Sequence, residues 1–418
     1  MKQKQKTHFH KFTSRLIEFS DRQVNRAMFV MLLIATTAVV INIPNIMQYF
    51  TAQPSSALGV INPKFTPSMG TPIPYSGDFD NEPWEPEGDE ILIAQNAQEP
   101  DIHNDRIVYQ VGGNTSSDVH MKDLNTGETK VIADTLNFEG NAKIYDKNIV
   151  WHEQDPDGNI NSILLHQLIT GETGETKVIA QGESGFGGGT EIDNRSPDIY
   201  GNYIVWRRGI QEYFPPYDNY LEVVLYDITN GTESIISHEA GDSTYIWVYD
   251  DSVAIAGDWV IWVGLSKINP EYSRIYAYKI STQQGPYVIN ESNLPIRQFH
   301  PAIYGKWAIW VEDTDLSNGS YEKLVAYDSD THQKYIIQEG NVTEPAIYRD
   351  IVVWRNWDIT SGTKIYMHRL SDILGLNYKL VGNPPQQIQP SICANKIVFA
   401  GNIPFVNNPS VYLFELLN

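Results

Sequence analysis

Five side chains that could take part in acid–base chemistry each stand directly before a proline and three residues before an isoleucine. They are Glu99, Ser196, His300, Glu344 and Gln389. A hydrolase or lyase would use paired carboxylates or a histidine at such positions as general acid and base. The same side chains can instead accept hydrogen bonds from neighbouring segments or from water, and we favour this structural interpretation. For the enzymatic interpretation, His300 and Glu344 are the candidate pair, because adjacent repeats would bring them near each other.

A short acidic loop offers a possible calcium site. Asp155, Asp157 and Asn159 alternate oxygen ligands, which is the spacing of a calcium loop. The glutamate that closes the full signature is missing. We therefore favour an ordinary Asp-Pro-Asp-Gly turn, with Ca²⁺ as the alternative, and expect no other cofactor.

The segment 207–220 is rich in stiff, amphipathic aromatic side chains, which suit contacts with protein or sugar. These side chains are Tyr213, Phe214, Tyr217 and Tyr220. They can equally fold back to cover the strands beneath them, and the sequence leaves both interpretations open.

Several function classes are excluded. The formal charge of −21 argues against a nucleic-acid partner, because phosphate binding needs a surface of Lys and Arg. No G-x-S-x-G motif is present, which excludes a prolyl-oligopeptidase type of serine hydrolase. One cysteine and ten histidines occur without the spacing of a zinc site.

The first 89 residues divide into three segments of different composition. Residues 1–26 are basic, 27–50 carry no charge, and 51–89 contain seven prolines. This order predicts a cytoplasmic segment, a single transmembrane signal-anchor helix and a disordered linker. The rest of the chain would then be extracytoplasmic, at a cell surface or in a periplasm. A cleaved signal peptide with its cleavage site at 55–57 is the alternative.

An eight-residue pattern that ends in an aromatic residue recurs seven times at spacings of 42–56 residues. The copies are 102–109, 144–151, 199–206, 255–262, 303–310, 347–354 and 392–399. This period is typical of a four-stranded propeller blade, and each repeat reads as a short strand that often opens with proline, followed by three more. The aromatic residue should pack in the core between neighbouring blades.

The order of strands along the chain also predicts how the ring closes. The seventh repeat stops after its third strand, whereas residues 90–96 form an orphan strand before the first repeat. Docking this strand on the last blade would pair a bare edge. We therefore predict an all-β fold over residues 90–418, a seven-bladed β-propeller closed in a 3+1 arrangement.

The repeated pattern of proline, hydrophobic residue, tight turn and I-V-W resembles TolB-like propeller repeats of prokaryotic envelope and surface proteins. The usual S-P-D-G turn survives only in part, as 196–198. The resemblance implies a rigid platform for protein–protein contact, and no functional residue can be transferred from it.

The loops between second and third strands, and those between blades, are long and should open on one face, which we call the long-loop face. Binding residues concentrate in such loops. We therefore expect a non-enzymatic module that binds protein or glycan there. The alternatives are a propeller-based carbohydrate-active hydrolase or lyase, and a structural component of the cell surface.

Overall fold

The computed structural model describes residues 88–417 apart from short gaps, all within the second of two compact parts of the chain, Phe65–Asn418. The gaps are 114–115, 159, 170–173, 186–188, 214–218, 238–246, 266–271, 290–295, 315–321, 359–361, 373–377, 380–385 and 403–408. The expected cytoplasmic, transmembrane and linker segments fall almost wholly before this range. No helix in the described part of the chain is long and apolar enough to cross a membrane.

The described residues form 28 β-strands and a 3₁₀ turn at Leu370–Asp372. We assign the strands to seven units. Unit 1 contains β2 Ala97–His103, β3 Arg106–Gly112, β4 Ser117–Asp123 and β5 Thr129–Ala133. Unit 2 contains β6 Phe138–Tyr145, β7 Asn148–Gln154, β8 Asn161–Gln167 and β9 Glu175–Ala180. Unit 3 contains β10 Thr190–Tyr200, β11 Tyr203–Glu212, β12 Asn219–Asp227 and β13 Thr232–Ile235. Unit 4 contains β14 Trp247–Ala256, β15 Trp259–Leu265, β16 Ser273–Lys279 and β17 Gln284–Val288. Unit 5 contains β18 Arg297–Tyr304, β19 Trp307–Asp313, β20 Glu322–Asp328 and β21 Gln333–Glu339. Unit 6 contains β22 Val342–Tyr348, β23 Ile351–Asp358, β24 Gly362–Arg369 and β25 Tyr378–Lys379. Unit 7 contains β26 Gln386–Cys393, β27 Lys396–Asn402, β28 Ser410–Leu416 and β1 Gly88–Gln95.

In units 1 to 6, strands that follow one another in the chain pair antiparallel, so each of these units is a four-stranded meander. Two single parallel pairs, Ser117 with Phe138 and Asn161 with Asp193, join units 1 to 3 into one sheet of twelve strands. Such close contact at one end of neighbouring units is expected where sheets are packed radially.

Unit 7 combines the two ends of the described chain. Strand β1 pairs antiparallel with β28, from Gly88 opposite Leu416 to Gln95 opposite Ser410. It begins at Gly88, two residues before the expected boundary. Unit 1 packs directly on unit 7, where Ile107 and Tyr109 share a hydrophobic cluster with residues of β27 and β28.

The recurring aromatic side chain of each repeat is buried, as predicted. The seven residues are at most 2% exposed: Tyr109, Trp151, Trp206, Trp262, Trp310, Trp354 and Phe399. Each packs in a cluster with a neighbouring unit, and Trp310, for example, contacts residues of unit 4. Burial of such large apolar surfaces between units is the main force that holds them together.

The first strand of each unit is longer than predicted. The prolines do not open these strands but lie inside them, at a β-bulge that appears as a register shift, such as that between Gln98 and Asp101. A bulge leaves a residue out of the hydrogen-bond ladder, so proline, which has no N–H, is tolerated there. The five candidate residues therefore lie within the first strands rather than before them.

Candidate functional site

The first strands of all seven units line a single cavity of about 690 Å³. Each of these strands runs from a connection between units to a tight hairpin turn, so one end of the cavity lies at the long-loop face and the other at the tight turns. Alternate residues of a strand point to the same side, and three layers of side chains follow one another along the cavity.

The layer nearest the long-loop face is a ring of residues in left-handed backbone conformation, which we call the mouth ring. Its described members, all with φ between 51° and 53°, are Glu99, Asn141, Ser196, His300, Glu344 and Gln389. A positive φ is unfavourable for residues other than glycine and persists only where surrounding structure holds it. Here the bulge holds it, at the equivalent position of six units.

Side chains of the mouth ring bind the backbone of the next unit. Glu99 accepts a hydrogen bond of 2.8 Å from the amide of Asn141, and Glu344 accepts one of 2.8 Å from the amide of Gln389. Gln389 in turn accepts one of 3.1 Å from the amide of Glu99. The three bonds join units 6, 7, 1 and 2 in succession. They satisfy amides that the bulges release from the ladders.

His300 and Glu344 have separate polar partners. The Nδ1 atom of His300 lies 3.0 Å from the hydroxyl of Thr343. Glu344 receives a hydrogen bond of 2.8 Å from Arg355 Nη1 in addition to that from Gln389. Both oxygens of this carboxylate are thus engaged in holding neighbouring strands, an arrangement that serves structure better than proton transfer.

A second, fully buried position lies two residues before the mouth ring and also links units. Gln298 and Gln387 accept hydrogen bonds of 2.9 and 3.0 Å from backbone amides on the third strand of the preceding unit. Asn194 donates to the carbonyl of Asn161 and accepts from the indole of Trp206. Unit 2 places a carboxyl group here, Glu139.

Glu139 is the one carboxyl group that we find at this buried position among the described residues. Its Oε1 accepts a hydrogen bond from Thr135, whereas Oε2 accepts none from the part of the chain that the structure describes. Burial raises the pKa of Glu139 to about 7, against the opposing effect of the Thr135 hydrogen bond. The fold therefore favours the protonated form of this side chain.

The middle layer of the cavity, which we did not predict, is charged. Asp101 accepts hydrogen bonds from the amide of Ile144 in unit 2 and from the hydroxyl of Ser391 in unit 7, at 2.9 and 2.7 Å. Lys143 Nζ lies 3.8 Å from Asp101 Oδ1. Asp198 accepts from the amide of Ile255 in unit 4 at 2.9 Å. Asp101 and Asp198 thus also link neighbouring units, two residues farther along the first strands than the mouth ring.

The charges of this layer depend on one another, because protein encloses them. Burial alone would lower the pKa of Lys143, but the carboxylates of Asp101, Asp198 and Glu99 outweigh it and the pKa is raised. Burial raises the pKa of Asp198 to about 6, with Lys143 opposing the shift. Lys143 therefore stays protonated at neutral pH and is unsuited to act as a nucleophile.

Aromatic rings close the end of the cavity at the tight turns, and we call them the tyrosine floor: Tyr145, Tyr200, Tyr304 and Tyr348. The ring centroids of Tyr145 and Tyr200 are 4.7 Å apart, and those of Tyr304 and Tyr348 are 4.9 Å apart. His103 adds a further ring 4.2 Å from Tyr145. Burial, together with Tyr200, raises the pKa of Tyr145 to about 12, so its phenol is uncharged at ordinary pH.

Two of the four aromatic candidates of the 207–220 segment can be placed. Tyr213 is exposed by 43% and donates a hydrogen bond of 2.6 Å to Glu191, with its ring against Gly185. Tyr220 is half-buried in β12, opposite Ile210. Phe214 and Tyr217 lie outside the described residues. Tyr213 thus combines a contact with its own unit and an accessible ring.

Two of the three calcium-ligand candidates, Asp155 and Asp157, lie in a hydrogen-bonded turn. Asp155 Oδ1 accepts a hydrogen bond of 2.7 Å from the amide of Ile160, and the carbonyl of Asp155 accepts one from Gly158. Asn159 lies outside the described residues, as does most of the other loop sequence on this face. Within the described residues, no cluster of three His, Cys, Asp or Glu side chains could hold a metal ion.

Comparison with known proteins shows similarity in fold alone. No protein-family model and no curated protein sequence matches the chain. Among solved structures, an oligogalacturonate lyase in complex with manganese aligns over 81% of this chain and 96% of its own, with 11% identity and a TM-score of 0.52. The propeller domain of the trilobed protease of Pyrococcus furiosus, which has an open velcro topology, aligns over 78% and 98%, with 12% identity and a TM-score of 0.53.

TolB from Acinetobacter baumannii is also similar, over 69% of this chain and 67% of its own, with 15% identity. The TM-score of 0.43 is too low to support an argument. The described part of the chain is thus all-β and similar in fold to β-propeller proteins of several kinds. The narrower likeness to TolB stays an expectation from the sequence.

Proposed function

We propose that the described strands form a seven-bladed β-propeller, closed by the docking of β1 on β28, that acts as a binding module rather than an enzyme. Its ligand, a protein or a glycan, would be bound at the long-loop face and the cavity mouth. The observation that carries this proposal is the engagement of the acids Glu99 and Glu344 with backbone amides of neighbouring units. Acids held in this way stabilise a rigid ring and are poorly placed to exchange protons with a substrate.

The long-loop face has the chemistry of a contact surface. Besides Tyr213, it exposes Leu136 by 83%, in the connection after β5, and Trp357 by 50%, near the end of β23. Large apolar and aromatic side chains of this kind are typical anchors of interfaces. The turns of the opposite face carry polar side chains such as Asn125 and Asn230, and that face also exposes Ile169 by 45% and Leu417 by 58%.

A capture experiment with the full-length protein tests the proposal. The wild type is compared with a variant in which residues 213–218, between β11 and β12, are replaced by a short Gly-Ser turn. The matched control carries Thr229→Gly and Asn230→Ser in the turn on the opposite face of the same unit. We expect the same protein or glycan to be retained by the wild type and the control and lost by the loop variant. Equal retention by all three proteins would contradict the proposal.

The enzymatic alternative is tested in parallel with Glu99→Gln and Glu344→Gln. These variants keep an acceptor oxygen but remove the carboxylate. Turnover of a polysaccharide by the wild type that both variants abolish would show a hydrolase or lyase. Binding without turnover, retained by the variants, supports the binding module. Self-association as the sole activity would favour a structural role at the cell surface.

We further propose that residues 27–50 anchor the chain in a membrane with the propeller outside the cytoplasm. The support is the order of basic, apolar and proline-rich segments. Protease added to spheroplasts, in which the cytoplasmic membrane is intact but the outer envelope is open, should then digest residues 51–87 and release the propeller. Release only after the spheroplasts are lysed would place the propeller in the cytoplasm instead.

A further inference from the structure

Resting on the proposed binding function, we propose that the cavity binds an organic cation, an ammonium or guanidinium group, carried by a small amine or by a side chain of a partner protein. The group would enter at the mouth ring and lie between the middle layer and the tyrosine floor.

Charge is the first observation in support. Among the described residues that line the cavity, four carry carboxyl groups, Glu99, Asp101, Asp198 and Glu344, and Lys143 is the one lysine or arginine. Arg355, behind Glu344, adds a second cation nearby. The cavity therefore keeps an excess of negative charge, and protein walls of low dielectric concentrate the resulting potential.

The aromatic floor is a second and independent observation. Tyr145, Tyr200, Tyr304 and Tyr348 are all half-buried and line the cavity. Their rings approach one another in two tilted pairs at the end farthest from the long-loop face. The faces of tyrosine rings attract cations, and clusters of them bind ammonium and methylated ammonium groups. An anionic ligand would meet repulsion from the same rings and from the carboxylates above.

The dimensions of the cavity fit a slender group. Four residues separate Glu99 from His103 along β2, which corresponds to a depth of roughly 13 Å from mouth to floor. The volume of about 690 Å³ exceeds what one ammonium group fills, so the cavity has room for part of the chain that carries the cation. An alkyl amine or an extended Lys or Arg side chain meets both conditions.

Substitutions of Lys143 and Asp198 should change the affinity for a cation in opposite directions, which tests the proposal. Its ammonium group already neutralises part of the charge of Asp101 and Asp198. An entering cation must compete with it, so Lys143→Gln should strengthen binding by about fivefold. Asp198→Asn should weaken binding by a similar factor, while its side-chain oxygen can still accept the hydrogen bond from Ile255. A cavity that merely encloses solvent would show neither effect.

Calorimetric titration of the full-length protein at pH 7.5 measures these effects. The probes are agmatine and tetramethylammonium, with the uncharged sugar glucose as control. A peptide with one central arginine, and the same peptide with citrulline, separate a partner side chain from a free amine as the source. Tyr304→Phe should preserve binding and Tyr304→Leu should weaken it about fivefold. Glu128→Gln, an exposed acid outside the cavity, should leave binding unchanged.

The proposal is supported by saturable binding of a cationic probe whose affinity changes among the variants as stated above. A preference for the arginine peptide over the citrulline peptide and the free amines identifies a protein ligand. No saturable binding of any cationic probe, or binding that Asp198→Asn and Tyr304→Leu leave unchanged, would overturn it. The binding module itself would survive that result if the 213–218 variant still lost its captured partner, so the two proposals fail separately.

Discussion

The carboxylate of Glu99 in unit 1 accepts a hydrogen bond of 2.8 Å from the backbone amide of Asn141 in unit 2. The same relation holds between Glu344 in unit 6 and Gln389 in unit 7. Residues whose types suggested acid–base catalysis thus hold adjacent units together. This is why we place the function in binding rather than in chemistry.

The middle layer should contribute strongly to stability through Asp101. Asp101→Ala leaves the amide of Ile144, the hydroxyl of Ser391 and the ammonium group of Lys143 without this acceptor. We expect a loss of about 2–4 kcal/mol in the free energy of unfolding, measured in urea. Asp101→Asn keeps an acceptor oxygen and should cost less. If Asp101→Ala changed stability by no more than about 0.5 kcal/mol, the layer would have no role in joining units.

Glu139 should make stability depend on pH. Its folded pKa of about 7 lies above the ordinary value of 4.5, so the protonated form is the one that the fold favours. Its stabilising contribution is complete below pH 4.5 and is lost as the pH rises through 7. Glu139→Gln, which copies Gln298 and Gln387 of other units, should therefore stabilise the protein at pH 8 by roughly 1–3 kcal/mol.

Thermal unfolding of this variant and the wild type from pH 4 to 8 checks the sign. The difference between the two should grow with pH and vanish near pH 4. The reverse change at an equivalent position, Gln298→Glu, should destabilise the protein at pH 8 far more than at pH 4. A difference between wild type and Glu139→Gln that is constant over this range would show that the pKa of Glu139 is the same in the folded and unfolded states.

The closing strand can be tested by cross-linking. Asp89 on β1 lies opposite Glu415 on β28, and both are accessible. Asp89→Cys with Glu415→Cys should form a disulfide that raises the melting temperature, because it closes a loop spanning almost the whole propeller. The sole natural cysteine, Cys393, is buried and should not compete.

Reduction should abolish this gain in melting temperature. A control pair, Asp89→Cys with Asp330→Cys, places the second thiol in unit 5 and should not cross-link within one molecule. Failure of the Asp89–Glu415 pair to form a disulfide under mild oxidation would mean that β1 does not close the ring.

The sequence allowed much of the fold to be predicted, because its signals recur. Seven aromatic residues at one strand position, from Tyr109 to Phe399, are buried where the repeat placed them. The start of the first strands could not be predicted correctly. A bulge with a left-handed residue, such as Glu99, interrupts the alternation of apolar and polar residues on which strand boundaries are judged.

The cavity was predicted only in part. Five of the six described members of the mouth ring were visible as polar residues before prolines, but three of these side chains bind backbone amides of other units, which leave no trace in local sequence. The middle layer could have been found from the recurring Pro-Asp-Ile at 100–102 and 197–199. The tyrosine floor was equally visible, because tyrosine follows isoleucine in four of the seven repeats.

Photo-cross-linking from opposite faces of unit 3 tests the binding account most directly. A benzophenone amino acid replaces Tyr213 on the long-loop face in one variant and Asn230 in the tight turn of the opposite face in the other. In the native envelope, we predict a specific cross-linked partner from position 213 and none from position 230. A partner captured equally from both positions, or from position 230 alone, would contradict a binding site on the long-loop face.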